Sequence, residues 1–241
     1  MTAHMPFVRR NFIYLHMRIS RMDPTLHPRV KICCISSIGE AWCAINHGAS
    51  ALGLVSDMPS GPGVISEDCI ARIARLVPPS VATFLLTSKQ DPHTIIDQQH
   101  RTGVNTIQVC DRLESHAYTI LRKSLPGISL VQVIHVTGRE AIDEACTVAP
   151  FVNALLLDSG NPSLPVKELG GTGRTHDWTV SRMIRESVDI PIFLAGGLNP
   201  ENVHMAIKEV APFGVDVCSG VRTAGNLDPE KLQRFFLNIS P

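Results

Sequence analysis

The chain has 241 residues, 22 Lys+Arg balancing 22 Asp+Glu, and 44% apolar against 18% charged residues. The apolar share excludes a disordered chain, and zero net charge excludes a general polyanion binder, so nucleic acid is not an expected partner. No run approaches the roughly 20 apolar residues that cross a bilayer, and the length suits one α/β domain.

Residues 1–22 carry Arg9, Arg10, Arg18 and Arg21 with no acid before Asp23, a composition like an amphipathic transit peptide. We expect instead a flexible N-terminal extension over residues 1–28, or an upstream start ahead of Met22, with the folded domain at 29–241. From Val30 onward, eight short β-rich apolar runs recur at 30–33, 51–55, 81–86, 106–109, 130–136, 154–157, 191–195 and 214–217. Each is apolar on both sides, as parallel strands buried on both faces are.

Amphipathic stretches fill the intervals. The first, 37–47, stops at Gly48. The second, 66–76, opens with Ser66 as N-cap and Glu67 and Asp68 in its first turn. The third, 91–101, opens with Asp91-Pro92 and ends at Gly103. Further helices are predicted at 113–124, 138–148, 177–186, 199–210 and 229–237, and Asn199-Pro200 and Asp228-Pro229 repeat the cap-then-proline start. His176 and Asp177 fall at the start of the sixth helix. Strict strand–helix alternation without a composition break predicts an α/β fold, a single (β/α)8 TIM barrel. A doubly wound sheet would gather the special residues at one switch point. Here glycines, acids and Cys33 recur at strand ends along the whole chain.

The seven cysteines include no C-x-x-C pair and no disulfide-like spacing, so neither a disulfide framework nor a zinc site is expected, and a reducing, cytoplasmic setting fits. Three glycine-rich segments follow late strands: Gly170-Gly171-Thr172-Gly173, Ala195-Gly196-Gly197 and Cys218-Ser219-Gly220, the last able to open a short helix. Glycine lets backbone N–H groups approach a ligand, and barrel loops seven and eight commonly hold phosphate. Gly171, Gly173, Gly196, Gly197, Ser219 and Gly220 are therefore candidate binding residues for a phosphorylated small molecule.

Cys33 ends the first strand, where a thiolate could serve as a carbon base or simply be a buried hydrophobe. Asp158 follows three leucines, and an acid there is costly to bury without a role, either chemical or in capping and fixing a loop. Asp216, between Val215 and Val217, is either a ligand contact or an internally paired acid. His135 closes the fifth strand, a place where histidine is usually a hydrogen-bonded core residue.

Taken in order, Val30-Lys31-Ile32-Cys33, Ala154-Leu155-Leu156-Leu157-Asp158-Ser159, Gly170-Gly171-Thr172-Gly173 with Asp177-Trp178, Leu194-Ala195-Gly196-Gly197-Leu198, Pro200-Glu201-Asn202-Val203 and Gly214-Val215-Asp216-Val217 with Ser219-Gly220-Val221 resemble the phosphoribosylanthranilate isomerase family. The resemblance implies an Amadori rearrangement of N-(5-phosphoribosyl)anthranilate in tryptophan biosynthesis, with no metal or organic cofactor, in a monomer or homodimer. It implies Asp158 as general acid on the furanose ring oxygen, Cys33 as general base at C2′, Asp216 as a substrate support and the glycine segments as the phosphate grip.

The chain departs from the family at the other end of the substrate. Cys34 stands where the family has Gly. Residues 58–65 contain no Arg where the family has one for the anthranilate carboxylate. Cys110-Asp111 replaces His-Gly, and Arg222 replaces Glu. Asp57 and Asp111 would repel a carboxylate, and Arg222 or Arg174 are the candidates to replace the missing cation. Two alternatives stay open: a paralogue isomerising another phosphoribosyl-amine or phosphosugar, and a non-catalytic phosphosugar-binding barrel.

Overall fold

Alternation along each strand sends successive side chains to opposite faces, and this separates two cores in the computed structural model, which describes residues 27–239. In β1 (Arg29–Ile32) and β6 (Ala154–Asp158), Val30, Ile32, Leu155 and Leu157 pack outward against helices. Cys33, Ala154 and Leu156 belong to a second cluster with Ala51, Val55, Phe84, Leu86 and Phe193, inside the barrel. The remaining strands are β2 (Ala51–Val55), β3 (Ala82–Thr87), β4 (Thr106–Val109), β5 (Ser129–His135), β7 (Ile192–Leu194) and β8 (Gly214–Val217). All eight pair in parallel in sequence order, and β8 closes on β1 with Lys31 opposite Asp216.

The helices are α1 (Ile38–Asn46), α2 (Glu67–Leu76), α3 (Pro92–Thr102), α4 (Ser115–Ser124), α5 (Glu140–Val148), α6 (Trp178–Ser187), α7 (Val203–Val210) and α8 (Pro229–Asn238). The expected caps form. Ser66 accepts from the Cys69 N–H, Asp91 from Thr94 and Asp228 from Glu230 and Lys231, and Gly103 is left-handed. Asp177 caps α6, with His176 just before it. Each side-chain cap contributes about 1 kcal/mol.

The predicted helix at 199–210 begins only at Val203. The Asn199 side chain accepts from the Glu201 and Asn202 N–H groups, and Asn202 donates back to the Gly197 carbonyl, so residues 200–202 form a turn bound to the strand-seven loop. After β8 the chain makes one 3-10 turn, Ser219–Val221, then a short hairpin of β9 (Arg222–Thr223) and β10 (Asn226–Leu227). All but the last two residues of the expected 1–28 extension lie outside the described residues. No described helix is long and apolar enough to cross a membrane.

Candidate active site

Parity and register bring the chemistry to one end of the barrel. Cys33 follows the last residue of β1 and its N–H donates to the Val217 carbonyl at 2.8 Å. Asp158 is the last residue of β6, and Asp216 shares the inward parity on β8. Cys33, Asp158 and Asp216 all line one cavity, about 680 Å³ with its open mouth included. One wall is nearly free of side chains, formed by Gly170, Gly171, Gly173, Gly196 and Gly197 with Thr172 and Ser219. Gly220 is not in the lining. It packs behind, where a Cβ would lie 2.0 Å from the Leu198 carbonyl oxygen.

The cavity is roofed by two loops that hold each other. Ser60, after β2, donates to the Lys167 carbonyl at 2.7 Å, and Met58 and Pro62 line the cavity together with Leu169 and the glycines. Below, Ser159 and Thr172 hydroxyls meet at 2.8 Å and tie the end of β6 to its glycine segment.

The two acids sit in different electrostatic surroundings. Burial pushes the Asp158 carboxyl above the usual carboxylate range, opposed chiefly by the Ser159 N–H that donates to it at 2.7 Å. Among the described residues no side-chain cation forms an ion pair with it, and burial outweighs the more distant pull of His135 and Lys31, which favours the protonated acid. Asp216 is also pushed up by burial, but Lys31 opposes this through an Nζ–Oδ2 contact of 2.7 Å with the lysine fully buried. Asp216 is therefore internally paired and also faces the cavity, and among the described residues its Oδ1 has no hydrogen-bond partner. His135 bonds the Cys110 carbonyl at 3.0 Å, a core role. Burial holds His176 down at about 4, so it is neutral at pH 7, with Nε2 on the Ser181 hydroxyl. Burial pushes the Cys110 thiol up to about 12. Among the described residues no three His, Cys, Asp or Glu side chains are grouped to hold a metal ion.

Lys31 is the site residue that pattern reasoning missed. Its signal was a lone cation between Val30 and Ile32 in a buried strand, where charge is retained only with a partner. Burial alone would lower its pKa, but Asp216 first and Cys33 second hold it well above the usual lysine value, so it stays an ammonium. Its Nζ lies 5.3 Å from the Phe84 ring centroid. Gly53, in mid-β2, makes the room, because a Cβ there would sit 2.8 Å from Cys33 Sγ and 3.1 Å from Lys31 Nζ. An isolated glycine in a strand marks such a close approach. Gly53→Ala is expected to destabilise by about 2 kcal/mol through overpacking and to lower kcat at least tenfold by displacing the thiol. Urea unfolding and steady-state rates check both.

The four charged residues weighed for the carboxylate end, Arg222, Arg174, Asp57 and Asp111, are all engaged. Arg222 Nη1 binds Glu40 at 2.8 Å while Nη2 donates to the Cys33 and Cys34 carbonyls at 3.2 and 2.6 Å. Burial pushes Glu40 up, but Arg222 and two backbone N–H groups outweigh it and hold it at about 2. Arg174 pairs with Glu168. Asp57 is matched by Lys89 at 3.0 Å and Asp111 by Lys167 at 2.5 Å. None of these residues lines the cavity, so among the described residues neither arginine supplies the cation in this structure, and the two acids are neutralised rather than repelling.

A closed parallel barrel with buried acids, a thiol and a glycine-lined wall around one cavity at its strand ends is the architecture of a (β/α)8-barrel enzyme. The family model for N-(5'-phosphoribosyl)anthranilate isomerase matches residues 30–238, and the chain belongs to that family. It is 34% identical over 203 residues to N-(5'-phosphoribosyl)anthranilate isomerase 2 of Methanosarcina mazei, covering 84% of this chain and 89% of the relative. With the Haloarcula marismortui isomerase it shares 35% over 212 residues, covering 87% and 95%. The crystal structure of the Thermotoga maritima enzyme superposes with a TM-score of 0.74 at 31% identity, covering 88% of this chain and 98% of that one. A phosphoribosylanthranilate isomerase crystallised with reduced 1-(o-carboxyphenylamino)-1-deoxyribulose 5-phosphate superposes with a TM-score of 0.71 at 30% identity and the same coverage.

Proposed function

We propose that the chain carries out its family's reaction, the isomerisation of N-(5'-phosphoribosyl)anthranilate to 1-(o-carboxyphenylamino)-1-deoxyribulose 5-phosphate, with Asp158 as general acid and Cys33 as general base. The observation that carries this is the shared cavity: a carboxyl favoured in its protonated form and a thiol beside a buried ammonium open onto the same space. Asp158 gives its proton to the furanose oxygen and the ring opens to a Schiff base. The Cys33 thiolate then takes the C2′ proton, and the resulting enolamine tautomerises to the ketose. Asp216, held by Lys31, offers its unpartnered Oδ1 to the substrate. Gly171, Gly173, Gly196, Gly197 and Ser219 present backbone N–H groups and a hydroxyl to the phosphate. Gly220 contributes by letting the 3-10 turn pack against Leu198. The working unit is a monomer or homodimer in the cytoplasm.

A second reading, the same chemistry on another aglycone, is favoured by one observation. Among the described residues the cavity lining holds two carboxyl groups, Asp158 and Asp216, and no Lys, Arg or His. Complementation of a tryptophan auxotroph lacking this isomerase separates the two. Growth with the wild-type chain and none with Cys33→Ala supports the first. Failure of the wild type, with soluble protein present, moves the assignment to the second.

A further inference from the structure

Beyond the acid–base pair, we propose that Cys34 and Cys218 form an oxidisable dithiol at the mouth of the barrel, a modification site that a hydroperoxide converts to a disulfide. Their sulfurs lie 2.7 Å apart although 184 residues separate them in sequence. A disulfide bond is about 2.05 Å long, so closure needs less than an ångström of movement. The frame is already rigid, because Cys34 and Cys218 follow the ends of β1 and β8, which pair with Ile32 opposite Val217.

Cys34 makes its contact from a left-handed backbone, φ +61°, a conformation that disfavours any side chain. Both thiols line the cavity, so a small oxidant entering it reaches them. Cys33 is the poorer partner for Cys34. Adjacent Cα atoms are about 3.8 Å apart, short of the roughly 4.4 Å at which disulfides begin.

The two thiols divide the labour. Hydrogen bonding to Cys34, aided by the charge of Arg222, lowers the pKa of Cys218, while Cys34 holds its proton more tightly than a free thiol. The Cys218 thiolate attacks one peroxide oxygen, the O–O bond breaks, and sulfenic acid and hydroxide result. The Cys34 sulfur then attacks the sulfenic sulfur and the S–O bond breaks. The hydroxyl leaves as water with the Cys34 proton. Two thiols and one hydrogen peroxide thus give one disulfide and two waters, with sulfur oxidised and peroxide oxygen reduced.

The test is thiol accounting on the purified full chain treated with hydrogen peroxide, denatured, alkylated and mapped by peptide mass spectrometry. The expected result is loss of two of the seven thiols, recovered as one Cys34–Cys218 linked peptide pair that dithiothreitol reverses. Cys34→Gly suits the left-handed backbone and keeps the fold. In that variant the link is expected to vanish and dimedone to label Cys218. A Cys33–Cys34 link, or oxidation of Cys33 while Cys34 and Cys218 stay alkylatable, overturns the proposal, as does the absence of any link. The readout needs no turnover, so it stands or falls apart from the catalytic roles assigned above.

Discussion

Asp158→Asn is expected to lower kcat about 10³-fold, roughly 4 kcal/mol of transition-state stabilisation, while leaving the protein more stable than the wild type. The amide cannot release a proton to the ring oxygen, yet it keeps the shape and can still accept from the Ser159 N–H. The stability gain follows from the sign of the pKa shift. A carboxyl raised in the folded state binds its proton more tightly there than in the unfolded chain. Its contribution therefore favours the fold at low pH and is lost as pH rises through the folded value. At neutral pH the wild type bears this cost, and the amide removes it. The same proton sets the pH profile. The alkaline limb of kcat falls as Asp158 deprotonates, at a pH above the ordinary carboxylate range of about 3.9, and the variant loses that limb. A variant that kept wild-type turnover would remove Asp158 as the acid, and one that lost stability would contradict the account of its burial.

Lys31→Met should cost about 3–5 kcal/mol of stability, because it leaves Asp216 buried without its partner. Pairing it with Asp216→Asn removes the orphaned charge and should restore much of that loss. The rate should stay down at least about a hundredfold in both variants, since the ammonium beside Cys33 and the anchored carboxylate are gone. Urea unfolding and kcat measured on the single and double variants separate the two roles. If the double variant recovered full turnover with its stability, Lys31 would be a packing residue alone.

Much of this site could be read along the chain because its residues break local rules. Asp158 ends a run of leucines, Cys33 ends the first apolar run, and glycines cluster after strands six to eight. Residues whose part depends on a distant neighbour left weaker marks. Asp216 read equally as ligand contact or ion pair, and only its place opposite Lys31 revealed the ion pair. Arg222 and Arg174 carry the charge that could replace a missing cation, but Glu40 and Glu168 hold them. The start of α7 was misjudged for a similar reason. Asn199-Pro200 has the composition of a helix start, but Asn202 ties that turn back to the Gly197 carbonyl.

The amino-acid sequence determined the eight-fold alternation, because the spacing of apolar residues dictates which faces must be buried, and the special residues recurring at strand ends pointed from there to a barrel rather than an open sheet. It also placed Cys33, Asp158 and the three late glycine segments at the ends of strands, where the candidate site lies. Folding decided the pairings: Lys31 with Asp216, Arg222 with Glu40, and Cys34 with Cys218. Each joins residues more than 180 positions apart. Such contacts arise from barrel closure and strand register, which no local spacing encodes, and burial there turns ordinary side chains into charged, neutral or reactive ones.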